Sequence, residues 1–189
     1  MKQNRYHKLF FESYTSENII ALFSRYKGAA KEITESWAML EAAKKVDVNL
    51  DECTVVVVGD GCSPRTGAIF AYFTKALVIS VDPNANIPHW VEHCEKQAKI
   101  GYEPERISFA KMKIEDIVFD GNGKTVIVVW PHSHADMNKA DITNYGRRID
   151  ISMPCCVKIP SNWMSKPHVT YTDFNVLSPK RDVHIWDSE

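Results

Sequence analysis

Residues 54–59, TVVVVG, constrain the fold more than any other stretch of this 189-residue chain. Four consecutive valines show no alternation of apolar and polar positions, so a strand built from them must be buried on both faces. That is the mark of a parallel sheet covered on either side. The glycine that ends the run opens the loop Gly59-Asp60-Gly61-Cys62-Ser63-Pro64. Ser63 then supplies an N-cap residue, and Pro64 a proline at the first helical position of a segment carrying Ala68, Ile69, Ala71, Tyr72 and Phe73. A second apolar stretch, residues 76–81, completes a β-α-β unit.

The pattern continues in both directions. Upstream, residues 1–50 read as a helical extension: Thr15 or Ser16 caps a helix carrying Ile19, Ile20, Leu22, Phe23 and Tyr26 and stopped by Gly28. A second helix places Ile33, Trp37 and Leu40 on one face and runs to about Lys45. Downstream, residues 87–100 form a crossover helix with Pro88 near its start and Gly101 past its end, and residues 106–111 a third strand. A connector over 114–119 and the turn Asp120-Gly121-Asn122-Gly123 lead to a fourth buried strand over 125–130. Residues 137–148 read as a weak helix, 151–159 as a fifth strand, and 168–176 with 182–187 as a hairpin. No repeat or long linker divides the chain, so residues 1–189 read as a single domain, the extension leading into a core over 54–187.

Composition narrows the class. Apolar residues make up 44% and charged residues 25%, the mixture of a soluble globular protein. A net charge of -1 supplies no global basic field, so any nucleic acid must be attracted by a local patch. Five cysteines, odd in number and without a C-x-x-C pair, argue against a disulfide framework and a thiolate zinc site. The longest apolar run, near 125–131, is too short to cross a bilayer, and the first residues lack the apolar block of a secretory signal, which predicts a cytoplasmic protein without membrane partners.

The glycine loop lies where ligands bind in α/β sheets. Its glycines let backbone approach a ligand, and the following helix starts with unpaired N–H groups. It is not a dinucleotide G-x-G-x-x-G, because Pro64 takes the third glycine position, and no Gly-Lys-Ser/Thr of a phosphate loop follows. Asp82, 23 positions after Gly59, stands at the end of the second strand, from which a carboxylate accepts hydrogen bonds from ribose hydroxyls.

Five strands alternating with helices and closed by an antiparallel pair resemble the class I S-adenosylmethionine (SAM)-dependent methyltransferases over residues 54–187. The resemblance implies an α/β fold with a doubly wound, mostly parallel, seven-stranded Rossmann-like sheet and an antiparallel C-terminal hairpin. It implies SAM as cofactor, cradled by Gly59, Asp60, Gly61 and Ser63, with Asp82 on the ribose and Trp130 bordering the ligand. The family's acidic residue is replaced here by Val57, and Asp60 is the nearest substitute.

The tail is similar to the ribose 2′-O-methyltransferases, which implies that Lys158 and Asp182 are the third and fourth members of a Lys-Asp-Lys-Glu tetrad. Met39 and Trp130-Pro131 stand where the other two would be. In that role the Lys158 cation would lower the pKa of an acceptor hydroxyl or stabilise oxyanion charge, held in place by Asp182. No Asn/Asp-Pro-Pro-Tyr/Phe follows the fourth strand, so amine methylation of a nucleobase in the usual manner is not expected. Instead, His132 and His134 lie at the carboxyl end of a central strand, each a candidate general base near pH 7. The acceptor implied is a hydroxyl-bearing small molecule or RNA, the latter touched by Arg147-Arg148 and Lys180-Arg181, and the N-terminal helices offer a face to a protein partner.

Two other readings compete. One is a catalytically inactive relative that keeps the fold and binds SAM or a partner protein. The other is a metal-dependent hydrolase, because His132, His134 and Asp136 resemble the H-x-H-x-D-H motif of metallo-β-lactamase-fold enzymes, with His168 or His184 as further ligands. Met137 replaces that motif's last histidine, and the preceding residues alternate strand and helix rather than forming hairpins, so no metal is expected.

Overall fold

The computed structural model describes residues 3–24, 27–99, 106–154 and 166–188. Helices occupy Arg5–Glu12 (α1), Ser16–Ser24 (α2), Ala29–Ala43 (α3), Arg65–Phe73 (α4) and Ile87–Ala98 (α5). Strands occupy Thr54–Val58 (β1), Leu77–Val81 (β2), Ile107–Ala110 (β3), Val118–Asp120 (β4), Thr125–Pro131 (β5), Asp141–Thr143 (β6), Arg147–Met153 (β7), Val169–Thr172 (β8) and Asp182–Ser188 (β9). No helix is long and apolar enough to cross a membrane among the described residues.

Seven strands form one sheet in the order β3-β2-β1-β5-β7-β9-β8. β3 to β7 run parallel along this order, and β9 lies antiparallel to both β7 and β8. This mixed sheet with its antiparallel C-terminal pair is the Rossmann-like methyltransferase arrangement that the sequence predicts. The chain leaves β1 toward β2 on one side and returns to β5 on the other, so a crevice opens between the carboxyl ends of β1 and β5, the position at which open α/β sheets bind ligands.

Both faces of β1 are buried, as its valines require. Val55 and Val57 join a core shared with all five helices, including Phe10, Phe23, Trp37, Phe70 and Trp90. Val56 and Val58 join a second core, with Ile114, Phe119, Met137 and Ile142. No residue of α1 to α5 enters that second core. Among the described residues its cover is two single-turn 3-10 segments, Ile114–Asp116 and Met137–Lys139, and the small parallel pair β4–β6.

Three local expectations are revised. α1 is an additional helix: Asn4 caps it by accepting from the N–H groups of Tyr6 and His7, and only Tyr6 and Phe10 are buried. The weak helix over 137–148 is absent, because Arg147 to Met153 alternate as a strand whose polar members, Arg148 and Asp150, are buried against each other. The fifth strand therefore starts four residues early; residues 155–165, including Lys158, lie outside the described residues. Helix α4 starts at Arg65, one residue after Pro64, and the side chain that caps it comes from further back in the loop.

Candidate functional site

Gly59 and Gly61 adopt φ of +79° and +81°, the left-handed region that glycine enters without strain. A Cβ at Gly59 would lie 2.7 Å from Ser133 Oγ, so this turn also needs glycine for the close approach of the β5 loop. Asp60 is the cap of α4: its carboxylate accepts from the N–H groups of Thr66 and Gly67, each at 2.8 Å, and from the Ser80 hydroxyl at 2.9 Å. Burial pushes this carboxyl up, against the pull of those bonds and of Arg65.

Asp82 does sit at the ligand end of the sheet. One of its oxygens accepts from Gly61 N–H at 2.8 Å, the other from Asn84 N–H at 2.7 Å, which fixes the carboxylate at the tip of β2. Two of roughly four acceptor positions on an ionised carboxylate are thereby used. Asp82 and Gly59 line a cavity of about 580 Å³, together with residues 113–115 beyond β3 and 132–136 beyond β5. That volume falls within the roughly 300–1,000 Å³ usual for small-molecule sites.

His132 and His134 both line this cavity. His132 has φ of +53°, uncommon for a residue with a side chain and a recurrent feature of functional sites. The twist carries its ring toward α3, where Nε2 lies 2.7 Å from Glu35 Oε1. The two groups form an ion pair when the imidazole is protonated. Lys31, one helical turn before Glu35, places Nζ 3.0 Å from both carboxylate oxygens. Burial alone would raise the Glu35 pKa, but His132 and Lys31 outweigh it and hold the carboxyl below its ordinary value.

Glu35 is the residue that the sequence reading misses. On α3 eight successive positions, 33–40, are buried, and Glu35 is the one ionisable group among them. A carboxylate kept inside such a helix needs partners, and α3 brings one while β5 delivers the other.

The remaining candidates lie elsewhere. Trp130 is buried in the second core, where Nε1 donates to Asp150 Oδ1 at 3.0 Å, and it lines neither this cavity nor the smaller one beside it. Ser63 is buried with Oγ 3.4 Å from His89 Nδ1, also off both cavities. Asp182 is exposed at the start of β9, accepting from the Thr172 hydroxyl at 2.6 Å. Met39, at the first tetrad position, is fully buried.

His132, His134 and Asp136 of the metal motif border the large cavity without converging on a point. His132 meets Glu35, Asp136 caps a 3-10 turn through Asn138 N–H, and His168 and His184 lie along the β8–β9 pair. Among the described residues no group of three His, Cys, Asp or Glu side chains converges as a metal site.

The smaller chamber, about 190 Å³, meets the large cavity at Gly59 and His132 and runs under α3. Arg65, at the start of α4, reaches Glu32 at 3.3 Å on its wall. The two spaces together set a carboxylate–imidazole pair beside a cavity with a fixed acidic rim, an arrangement able to take a proton from a bound acceptor.

No family model and no curated protein matches the sequence. Among solved structures, the chain is similar to MtNAS crystallised as a glutamate-to-glutamine mutant in complex with S-adenosylmethionine. The TM-score is 0.53 at 14% identity, over 94% of this chain and 68% of that one. MtNAS in complex with MTA and tNA gives a TM-score of 0.51 at 14% identity, over 98% of this chain and 70% of that one. At such identity the likeness is one of fold, and it extends along almost the whole chain: a Rossmann-like sheet of the methyltransferase type.

Proposed function

We propose that the chain binds SAM in the cavity at the carboxyl ends of β1, β2 and β5 and serves as a methyltransferase. One observation carries the reading: at the point where strand order reverses, a glycine that tolerates no Cβ and a carboxylate with unused acceptor positions border a single cavity of about 580 Å³. MtNAS, whose fold this chain shares, holds SAM, which adds support.

The sulfonium of SAM supplies a methyl carbon on a good leaving group, so the protein's task is alignment and proton removal. Asp82 would accept from the ribose hydroxyls with the lone pairs that Gly61 and Asn84 leave. Residues 113–115 and Gly59, which line the same cavity, would hold the rest of the nucleoside. With SAM and an acceptor bound, the Glu35–His132 pair would take the proton that the acceptor gives up on methylation. Lys158, which lies outside the described residues, would keep the tetrad role that the resemblance implies, while Asp182, exposed and bordering neither space, would not. A small acceptor is favoured over RNA, because Arg147 pairs with Asp187 and Arg148 with Asp150 inside the protein.

A second reading, a relative that binds SAM without turnover, draws on Met39 and Trp130, both buried where the tetrad would need a lysine and an aspartate. Calorimetry with SAM and S-adenosylhomocysteine tests both readings, and turnover separates them. Asp82→Ala should weaken binding by about 1–3 kcal/mol through lost charge-assisted hydrogen bonds. No binding of either nucleoside overturns the proposal; wild-type affinity in the variant overturns the ribose assignment.

A further inference from the structure

Strand β8 ends the seven-stranded sheet: β9 pairs with one of its sides, and among the described residues nothing pairs with the other. The Asp173 N–H donates to Arg181 O, which sets the phase of the ladder. Tyr171 and Val169 therefore turn their main-chain groups toward β9, while Thr170 and Thr172 turn theirs outward. Val169, Thr170 and Thr172 are exposed. Sheet edges are ordinarily blunted by a charge, a proline or a covering helix or loop. Residues 169–172, Val-Thr-Tyr-Thr, carry no charge, proline or glycine, and each is a good strand former. The adjacent acid, Asp173, is buried, where it accepts from the Tyr6 hydroxyl and the Asn175 N–H, so it does not guard the edge.

The strand's own chemistry selects its occupant. A foreign peptide that adds to a sheet edge gains specificity from pockets for its alternate side chains, and the two cavities described above do not border β8. A second copy of β8, run antiparallel about a two-fold axis at Tyr171, supplies a match for every position. Thr170 and the partner's Thr172 exchange both main-chain bonds, as do Thr172 and the partner's Thr170. Tyr171 meets the partner's Tyr171, so aromatic pairs with aromatic and threonine with threonine, both favourable cross-strand pairs. Thr170 also lies against His184, and Thr172 against Asp182. Across the four strands each row thus has an imidazole at one end and a carboxylate at the other, and no like charges are opposed.

We propose that the outer edge of β8 is a homodimer interface, at which two chains join their sheets antiparallel through residues 169–172. So short a contact falls below the roughly 1,200–2,000 Å² of stable interfaces, which makes the dimer a transient one. β8 lies three strands from β5, about 14 Å across the sheet, so pairing there leaves the cavity beyond β5 open.

The test is sedimentation velocity on the full chain from about 1 μM to about 1 mM, a span that covers weak association. The apparent mass should climb with concentration from 21.5 kDa toward twice that value. Amide hydrogen exchange, read residue by residue at both ends of the span, locates the contact: Thr170 and Thr172 should slow by about fivefold or more at high concentration, while Val169 and Tyr171, already bonded to β9, change little. Thr170→Pro removes an outward N–H and leaves the ladder to β9 intact, so it should keep the thermal midpoint and abolish the rise in mass. If that variant fails to fold, the exchange of the unaltered chain decides. A chain that stays monomeric over the whole span overturns the proposal. So does a dimer that persists in folded Thr170→Pro protein, or one that leaves the Thr170 and Thr172 amides unprotected.

Discussion

Along β7, Ile149, Ile151 and Met153 face the layer of five helices, while Arg148, Asp150 and Ser152 face the side roofed by 3-10 turns and the β4–β6 pair. All six are buried. Under the helices, aliphatic side chains close the space by packing alone. Under the thin roof, Arg148 Nε and Nη2 sit 2.8 and 3.2 Å from the Asp150 oxygens, Arg148 Nη1 donates to Ala140 O, and Trp130 donates to Asp150. The contrast teaches that a crossover without a helix leaves main-chain carbonyls over the sheet, and a buried ion pair is what meets them. Such a pair adds little net stability, but losing one partner is costly.

The sharpest way to break the contrast is therefore Asp150→Ala, which leaves the Arg148 guanidinium buried without its carboxylate. It should cost about 3–5 kcal/mol in urea unfolding, against about 0.5–1.5 kcal/mol for Ile151→Val on the helical face. Adding Arg148→Met to the first variant should recover most of the loss. If the two single variants cost the same, the faces do not differ as described.

The helical face has its own ionisable weak point. His93 of α5 is buried and stacked on Trp90, and burial, with the charges of His89 and Lys96, pushes its pKa down to about 4. The unfolded chain, with a histidine near 6.5, takes the proton more readily. Stability is thus level above about pH 6.5, falls as the pH drops, and has lost ~3 kcal/mol by pH 4. Between pH 7 and pH 5 the loss should be about 2 kcal/mol in urea unfolding, and His93→Phe, which keeps the stacked ring, should remove that part of the slope. An unchanged slope in the variant means that His93 takes up its proton as readily in the folded as in the unfolded chain, and the face carries no such liability.

What could be read in the sequence divides along the same line. β1, β2, β5 and the helices between them announce themselves as apolar runs bounded by glycine or proline, and the helical face was accordingly legible. β4, β6 and the start of β7 were not, because three-residue strands carry almost no periodicity and the charges of Arg148 and Asp150 read as surface until their partner is known. At the site, Gly59, Asp82, His132 and His134 meet at one cavity because each ends a strand, and strand ends are predictable. Glu35 meets His132 across 97 positions, through the way α3 lies over β5, and no local pattern encodes that approach. An aromatic residue at a strand end does not reveal which face it occupies, and Trp130 is buried in the second core against Asp150.

The smallest effect concerns the loop where the two faces meet. Asp60 and Asp82 flank the same glycine turn, and sequence position offers both to a ligand. The structure separates them: Asp60, on the wall of the smaller chamber, is committed to Thr66, Gly67 and Ser80, whereas Asp82 borders the larger cavity. Asp60→Ala should behave as the loss of a helix cap, costing about 1–2 kcal/mol of stability, with nucleoside affinity at the wild-type level when measured well below the melting temperature. Asp82→Ala should show the reverse, weak binding with little change in the unfolding midpoint. An Asp60→Ala protein that keeps its stability and loses S-adenosylhomocysteine would return Asp60 to the ligand and assign the capping of α4 to backbone turns alone.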